Sequence, residues 1–261
     1  MATLELGCNR HLYYELIAGD RQNPHLVFLH EGLGCTAMWR DFPRLLCERT
    51  GCPGLVYDRP GYGRSSPPDA PRTINYLHHE ALRDLPTVLE RLLPATPYFL
   101  VGHSDGGSIA LIHASETPPR LRGIITEAAH VFVEEETLAG IRDATKAFAA
   151  GKLQGLFTHH GEKTEAVFRA WSDTWLSGFF RHWNIEYLLP SITCPVLAVQ
   201  GAEDQYGTLA QVDAIAGKIP AAVKAMVEDC GHVPHRERAD VVLRLMAEFL
   251  AGRIRADGEI G

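Results

Sequence analysis

The chain has 261 residues, 46% of them apolar and 22% charged, with a formal net charge of -7 at pH 7. This balance excludes a disordered chain and allows one sizeable core; the net acidity, with no Lys/Arg cluster, gives no electrostatic footprint for nucleic acid or an anionic membrane surface. The first eight residues lack a basic start followed by an apolar core, and no apolar run approaches the length of a membrane span, so a cytoplasmic protein is expected.

In chain order, alternation over residues 4–16 predicts an opening β-hairpin, and Leu26-Val27-Phe28-Leu29 reads as a buried strand ending at His30-Glu31-Gly32-Leu33-Gly34. A first helix is expected over 39–49. A strand follows at Leu55-Val56-Tyr57, closed by the turn-rich Asp58-Arg59-Pro60-Gly61-Tyr62-Gly63-Arg64-Ser65. Residues 74–93 have helical spacing, Tyr98 to Val101 is a wholly apolar strand, and Gly123-Ile124-Ile125-Thr126 is another. Strands alternating with helices at this rhythm predict an α/β fold, a mainly parallel, doubly wound sheet with helices on both faces.

Between 130 and 190 the rhythm breaks into helices rich in aromatics, among them Phe168, Trp171, Trp175, Phe179, Phe180 and Trp183. An inserted helical cap is expected there, dividing the core into residues 1–129 and 191–261. The alternation resumes with Val196 to Gln200, a helix after Thr208, a strand over 223–227 and a last amphipathic helix over 239–250. The six cysteines (Cys8, Cys35, Cys47, Cys52, Cys194, Cys230) have no framework spacing, which predicts reduced, mostly buried thiols.

The most informative stretch is Gly102-His103-Ser104-Asp105-Gly106-Gly107, placed where an apolar strand gives way to a helix. Glycines two residues either side of a serine are what a sharp strand-to-helix turn requires: Ser104 takes a positive φ that lifts its hydroxyl above the sheet, and any side chain at Gly102 or Gly106 would collide. In a doubly wound sheet, sites form beyond the carboxyl ends of strands. There the chain also carries Gly201-Ala202-Glu203-Asp204 and Asp229-Cys230-Gly231-His232-Val233-Pro234-His235.

A serine hydroxyl is a poor nucleophile at neutral pH; it needs a base within hydrogen-bond reach and a carboxylate to orient that base. Ser104, Asp204 and His232 occur in the chain order that supplies both. Glu203 rivals Asp204 but should point the other way, and His235, a rival base or a metal ligand beside Cys230 and His232, is expected on the solvent side. His78-His79 and His159-His160 are expected as surface pairs, and His103 as a packing residue.

These motifs, with His30-Glu31-Gly32, Gly61-Tyr62-Gly63-Arg64-Ser65 and Gly231-His232, resemble the serine hydrolases of the α/β-hydrolase fold over nearly the whole chain, in particular small capped bacterial hydrolases. Ser104-Asp105-Gly106-Gly107 also resembles the amino-acid-ester (valacyclovir-type) hydrolases. The resemblance implies a cofactor-independent, metal-free carboxylic ester hydrolase acting on a small-molecule ester through a Ser104 acyl-enzyme, with the N–H groups of Gly32 and Asp105 as oxyanion hole. Thioesters, lactones and carbon–carbon cleavage remain open, as does a weakly active ligand receptor.

One departure is Glu31, where the family usually has glycine. Its carboxylate is expected either beside the substrate or as a partner for Arg59. The Asp105 carboxylate is a candidate for a substrate ammonium. Trp171, Trp175 and Phe179 are candidate substrate-binding residues or else the cap's own core. Oligomeric state is not legible.

Overall fold

The computed structural model describes residues 2–7, 10–67 and 71–254. Its centre is an eight-stranded sheet in the order β1-β2-β4-β3-β5-β6-β7-β8. The hairpin of β1 (Ala2–Gly7) and β2 (Arg10–Ile17) is antiparallel and joins the sheet through antiparallel pairing of β2 with β4 (Gly54–Tyr57). All the other pairings, among β4, β3 (His25–Leu29), β5 (Tyr98–His103), β6 (Leu121–Glu127), β7 (Val196–Gly201) and β8 (Ala222–Val227), are parallel. The chain therefore has the expected α/β-hydrolase architecture.

The central strands are buried along their whole length, which is why they read as continuous apolar runs. One face of the sheet carries α1 (Phe42–Thr50), with Trp39 and Phe42, and the last described helix (Ala239–Ile254). The other carries α4 (Asp105–Ser115) and the helices from Tyr76 to Leu92. Those begin as α2 (Tyr76–His79), pass through a π-helical turn (Glu80–Asp84) and continue as α3 (Leu85–Leu92). α4 is buried over nearly all its length, so it lacks the amphipathic stripe of a surface helix.

Between β6 and β7 the chain runs through α5 (Glu135–Ala149), α6 (Gly155–His160) and α7 (Thr164–Leu176). Phe168, Trp171, Trp175, Phe180 and Trp183 are buried, and their rings stack edge-to-face or offset. This segment is tied to the core by His160, which is buried rather than on the surface. Its Nδ1 accepts from the N–H of Gly63 at 3.0 Å and its Nε2–H donates to the carbonyl of Leu33 at 2.9 Å. No described helix is long and apolar enough to cross a membrane. Cys35, Cys47, Cys52, Cys194 and Cys230 are free thiols, four of them buried; Cys8 lies outside the described residues.

Candidate active site

Ser104 stands between β5 and α4 with φ 51° and ψ -116°. Such a backbone costs on the order of 1–3 kcal/mol and persists only where surrounding structure imposes it. Here the N–H of Ser104 donates to the carbonyl of Glu127 at 2.8 Å, and a Cβ at Gly102 would strike the Gly106 carbonyl while one at Gly106 would strike that of Leu29.

His232 follows β8, and its Nε2 lies 3.1 Å from Ser104 Oγ. On the ring's other side Nδ1 lies 2.8 Å and 2.9 Å from the two carboxylate oxygens of Asp204, which follows β7. Nδ1 must carry the proton toward the carboxylate, leaving Nε2 to accept from the serine. Asp204 also accepts from Gln200 Nε2 and the N–H of Tyr206, both at 2.8 Å. Burial alone would raise its pKa, but the His232 ring and the Tyr206 N–H outweigh that and hold it below the ordinary carboxylate value.

Gly32 and Asp105 meet beside this trio. A Cβ at Gly32 would come within 3.3 Å of Asp105 Oδ2 and 2.5 Å of Trp171 Cδ1, so only glycine fits beneath the indole. Asp105 is the first residue of α4, where a backbone N–H has no partner within the helix. The loop carrying Gly32 is stiff because the Glu31 carbonyl accepts from His30 Nδ1–H at 2.8 Å, Arg59 Nη2 at 2.9 Å and the N–H of Gly34 at 3.0 Å.

Several side chains lie elsewhere than expected. The Glu31 carboxylate does not pair with Arg59, which reaches only its carbonyl; it faces His103 Nδ1 at 3.4 Å. Arg59 instead meets Glu80 at 2.5 Å and Asp105 at 3.7 Å, because the π-helical turn brings Glu80 against it. The Asp105 carboxylate is buried and also accepts from Tyr76 Oη–H at 3.0 Å. His235 is not solvent-side: it is buried against Trp39, with Nδ1 2.8 Å from Glu127 Oε2.

Among the candidate aromatics, Trp171 covers Gly32, whereas Trp175 is buried with its Nε1–H donated to Tyr76 Oη at 2.9 Å. Phe179 is 53% exposed, at the end of the helical segment. Sequence reasoning did not single out Tyr206, whose ring lies 4.7 Å from that of His232, or His130 at 5.9 Å. Tyr206 stands only two residues after Asp204, and that proximity was the available signal. A cavity of about 600 Å³ opens between α7 and the stretches 60–67 and 71–87, with Tyr62, Tyr76, Val167 and Ala170 in its wall; Ser104, Asp204 and His232 do not line it.

Residues 26–245 match the model of the alpha/beta hydrolase family. The chain belongs to that family. It is similar to the serine hydrolase BPHL of Mus musculus, 26% identical over 253 residues that cover 92% of this chain and 83% of the relative. It is also similar to 2-succinyl-6-hydroxy-2,4-cyclohexadiene-1-carboxylate synthase of Enterobacter sp. (strain 638), 26% identical over 262 residues, covering 91% and 96%. Among solved structures, Est816, described as an N-acyl homoserine lactone degrading enzyme, superposes with a TM-score of 0.75 at 25% identity, covering 95% of this chain and all of that one. Family membership and fold leave the bond that is broken open, because one triad serves several reactions.

Proposed function

We propose that this hydrolase cleaves small, uncharged carboxylic esters through a Ser104 acyl-enzyme. The observation that carries the reading is the relay Ser104–His232–Asp204, in which one imidazole nitrogen faces the hydroxyl at 3.1 Å and the other a carboxylate at 2.8 Å. His232 Nε2 takes the serine proton as Oγ adds to the ester carbonyl, and the N–H groups of Gly32 and Asp105 hold the resulting oxyanion. Collapse breaks the bond to the alkoxy oxygen, which leaves as the alcohol with the proton from His232. A water, deprotonated by the same nitrogen, then adds to the acyl-enzyme, and the acid departs as Ser104 regains its proton.

The preference for an uncharged acyl group is supported by Asp105. The resemblance to amino-acid-ester hydrolases offers its carboxylate to an ammonium, but in this chain it already faces Arg59 and the Tyr76 hydroxyl. Residues 130–190 act as a cap in this reading.

A panel of p-nitrophenyl esters of rising acyl length, with aromatic and aminoacyl members, tests the proposal. Turnover of neutral members is expected to exceed that of the aminoacyl ones and to vanish in Ser104→Ala. Turnover of none, or equal turnover by the variant, overturns it.

A further inference from the structure

His103, the residue before the nucleophile, is fully buried beside the relay without being part of it. Its Nε2 lies 2.7 Å from the backbone carbonyl of His232, and its ring centroid is 5.2 Å from that of His232. A carbonyl can only accept, so Nε2 carries a proton. The opposite nitrogen, Nδ1, faces the Glu31 carboxylate at 3.4 Å, an ion-pair distance. A neutral ring protonated at Nε2 would turn a lone pair toward that carboxylate, which is repulsive; a second proton on Nδ1 makes the contact attractive.

We infer that Glu31 and His103 are positioning residues: Glu31 orients the His103 ring, whose Nε2–H fixes the backbone of His232 so that its imidazole meets Ser104. This rests on the reading of Ser104 and His232 as nucleophile and base. The linkage joins all three parts of the proposed site, because Glu31 precedes the oxyanion glycine Gly32, His103 precedes Ser104, and the bond ends on His232 itself. The Glu31 backbone cannot swing to release the carboxylate, since three donors hold its carbonyl.

The direction of titration agrees. Burial works against a charge on His103, but Glu31, and Glu127 behind it, raise its pKa overall. Burial likewise works against a charge on Glu31, but His103 and His30 hold its pKa well below the ordinary carboxylate value. Both directions favour the charged pair, His103⁺ with Glu31⁻. A second acid–imidazole contact, Glu127 with His235, anchors the short helix (Pro234–Glu237) that begins two residues beyond His232. The departure from the family's glycine at position 31 thus has a physical role.

The test is the rate at which a fluorophosphonate modifies the folded full-length protein, a readout of serine activation that needs no ester substrate. His103→Phe keeps a ring and removes both donors; its rate is expected to fall at least tenfold, with the KM for a p-nitrophenyl ester within twofold of wild type. Glu31→Gln, which keeps shape and removes charge, should fall between. His113→Phe, also a buried ring but remote from His232, is expected to lower the Tm without slowing modification.

A folded His103→Phe that reacts at the wild-type rate overturns the inference. If that variant does not fold, ¹⁵N-histidine NMR of the wild-type protein decides: His103 doubly protonated at pH 7 supports the inference, and a neutral ring refutes it. A wild-type protein that the probe leaves unmodified sinks the relay reading instead, and the NMR result still reports on Glu31 and His103.

Discussion

Gly32 lies directly beneath Trp171, so close that a Cβ there would stand 2.5 Å from the indole Cδ1 and 2.7 Å from Nε1. Gly32→Ala must therefore shift either the buried indole or the loop whose N–H is proposed to hold the oxyanion. Loss of one such donor costs about 3–4 kcal/mol of barrier, so kcat should fall roughly 10²- to 10³-fold. Trp171→Ala added to Gly32→Ala should recover part of the loss, measured as kcat on the best ester of the panel. No recovery would mean that the indole is not what excludes a side chain.

Asp204→Asn leaves the shape of the relay but offers an amide where the carboxylate stood, and it frees His232 to take the wrong tautomer. A reduction in kcat of about 10⁴-fold is expected, by analogy with the same change in the serine proteases. Pre-steady-state release of p-nitrophenol checks it; an unchanged burst would place the orienting acid elsewhere, with Glu203 the first alternative.

His235→Ala should mainly lower stability. The ring is buried with its Nδ1 on the Glu127 carboxylate, and removing one partner of such a pair strands the other, at a loss of roughly 3–5 kcal/mol. Urea unfolding measures the change. If His235→Ala stays as stable as wild type but abolishes ester turnover, the base has been assigned to the wrong histidine.

Acid should destabilise the fold between pH 6.5 and about 4. His113 Nδ1–H donates to the Ala81 carbonyl at 3.0 Å and its Nε2 accepts from Tyr98 Oη–H at 2.7 Å, a bonding pattern only the neutral ring can make. Burial pushes its pKa from 6.5 down to about 4. The unfolded chain takes up a proton near 6.5 while the folded one does not, so stability is complete above 6.5 and drains away as pH falls toward 4. The sum over that window is roughly 3 kcal/mol for this group.

His30 and His160, also lowered by burial, act in the same sense. His103, whose pKa is raised, contributes fully below 6.5 and fades only as pH rises through its folded value, so it does not mask the trend. Urea midpoints at pH 7 and 4.5 measure the effect, and His113→Phe should flatten it.

Much of this was legible in the sequence because it depends on local pattern. Continuous apolar runs predict buried parallel strands, and the glycines around Ser104 predict an elbow, since each is a constraint on a single segment. The order serine, acid, histidine at three strand ends then gives the relay. Segment-internal pattern cannot report how side chains meet across loops. The pairing of Arg59 with Glu80 depends on a π-helical turn that no periodicity announces, and His235 reads as polar although Glu127, 108 residues away, lets it be buried. His160 beside His159 looks like a surface pair for the same reason: its two partners come from loops about a hundred residues upstream.

That single imidazole has a bearing on how the enzyme can be re-engineered. Because His160 grips both Leu33, next to Gly32, and Gly63, a chimera that transplants residues 130–190 from a relative would also disturb the two core loops that its ring holds. Grafts that retain a histidine at this place should keep turnover while changing selectivity, and those without it would trade speed for novelty.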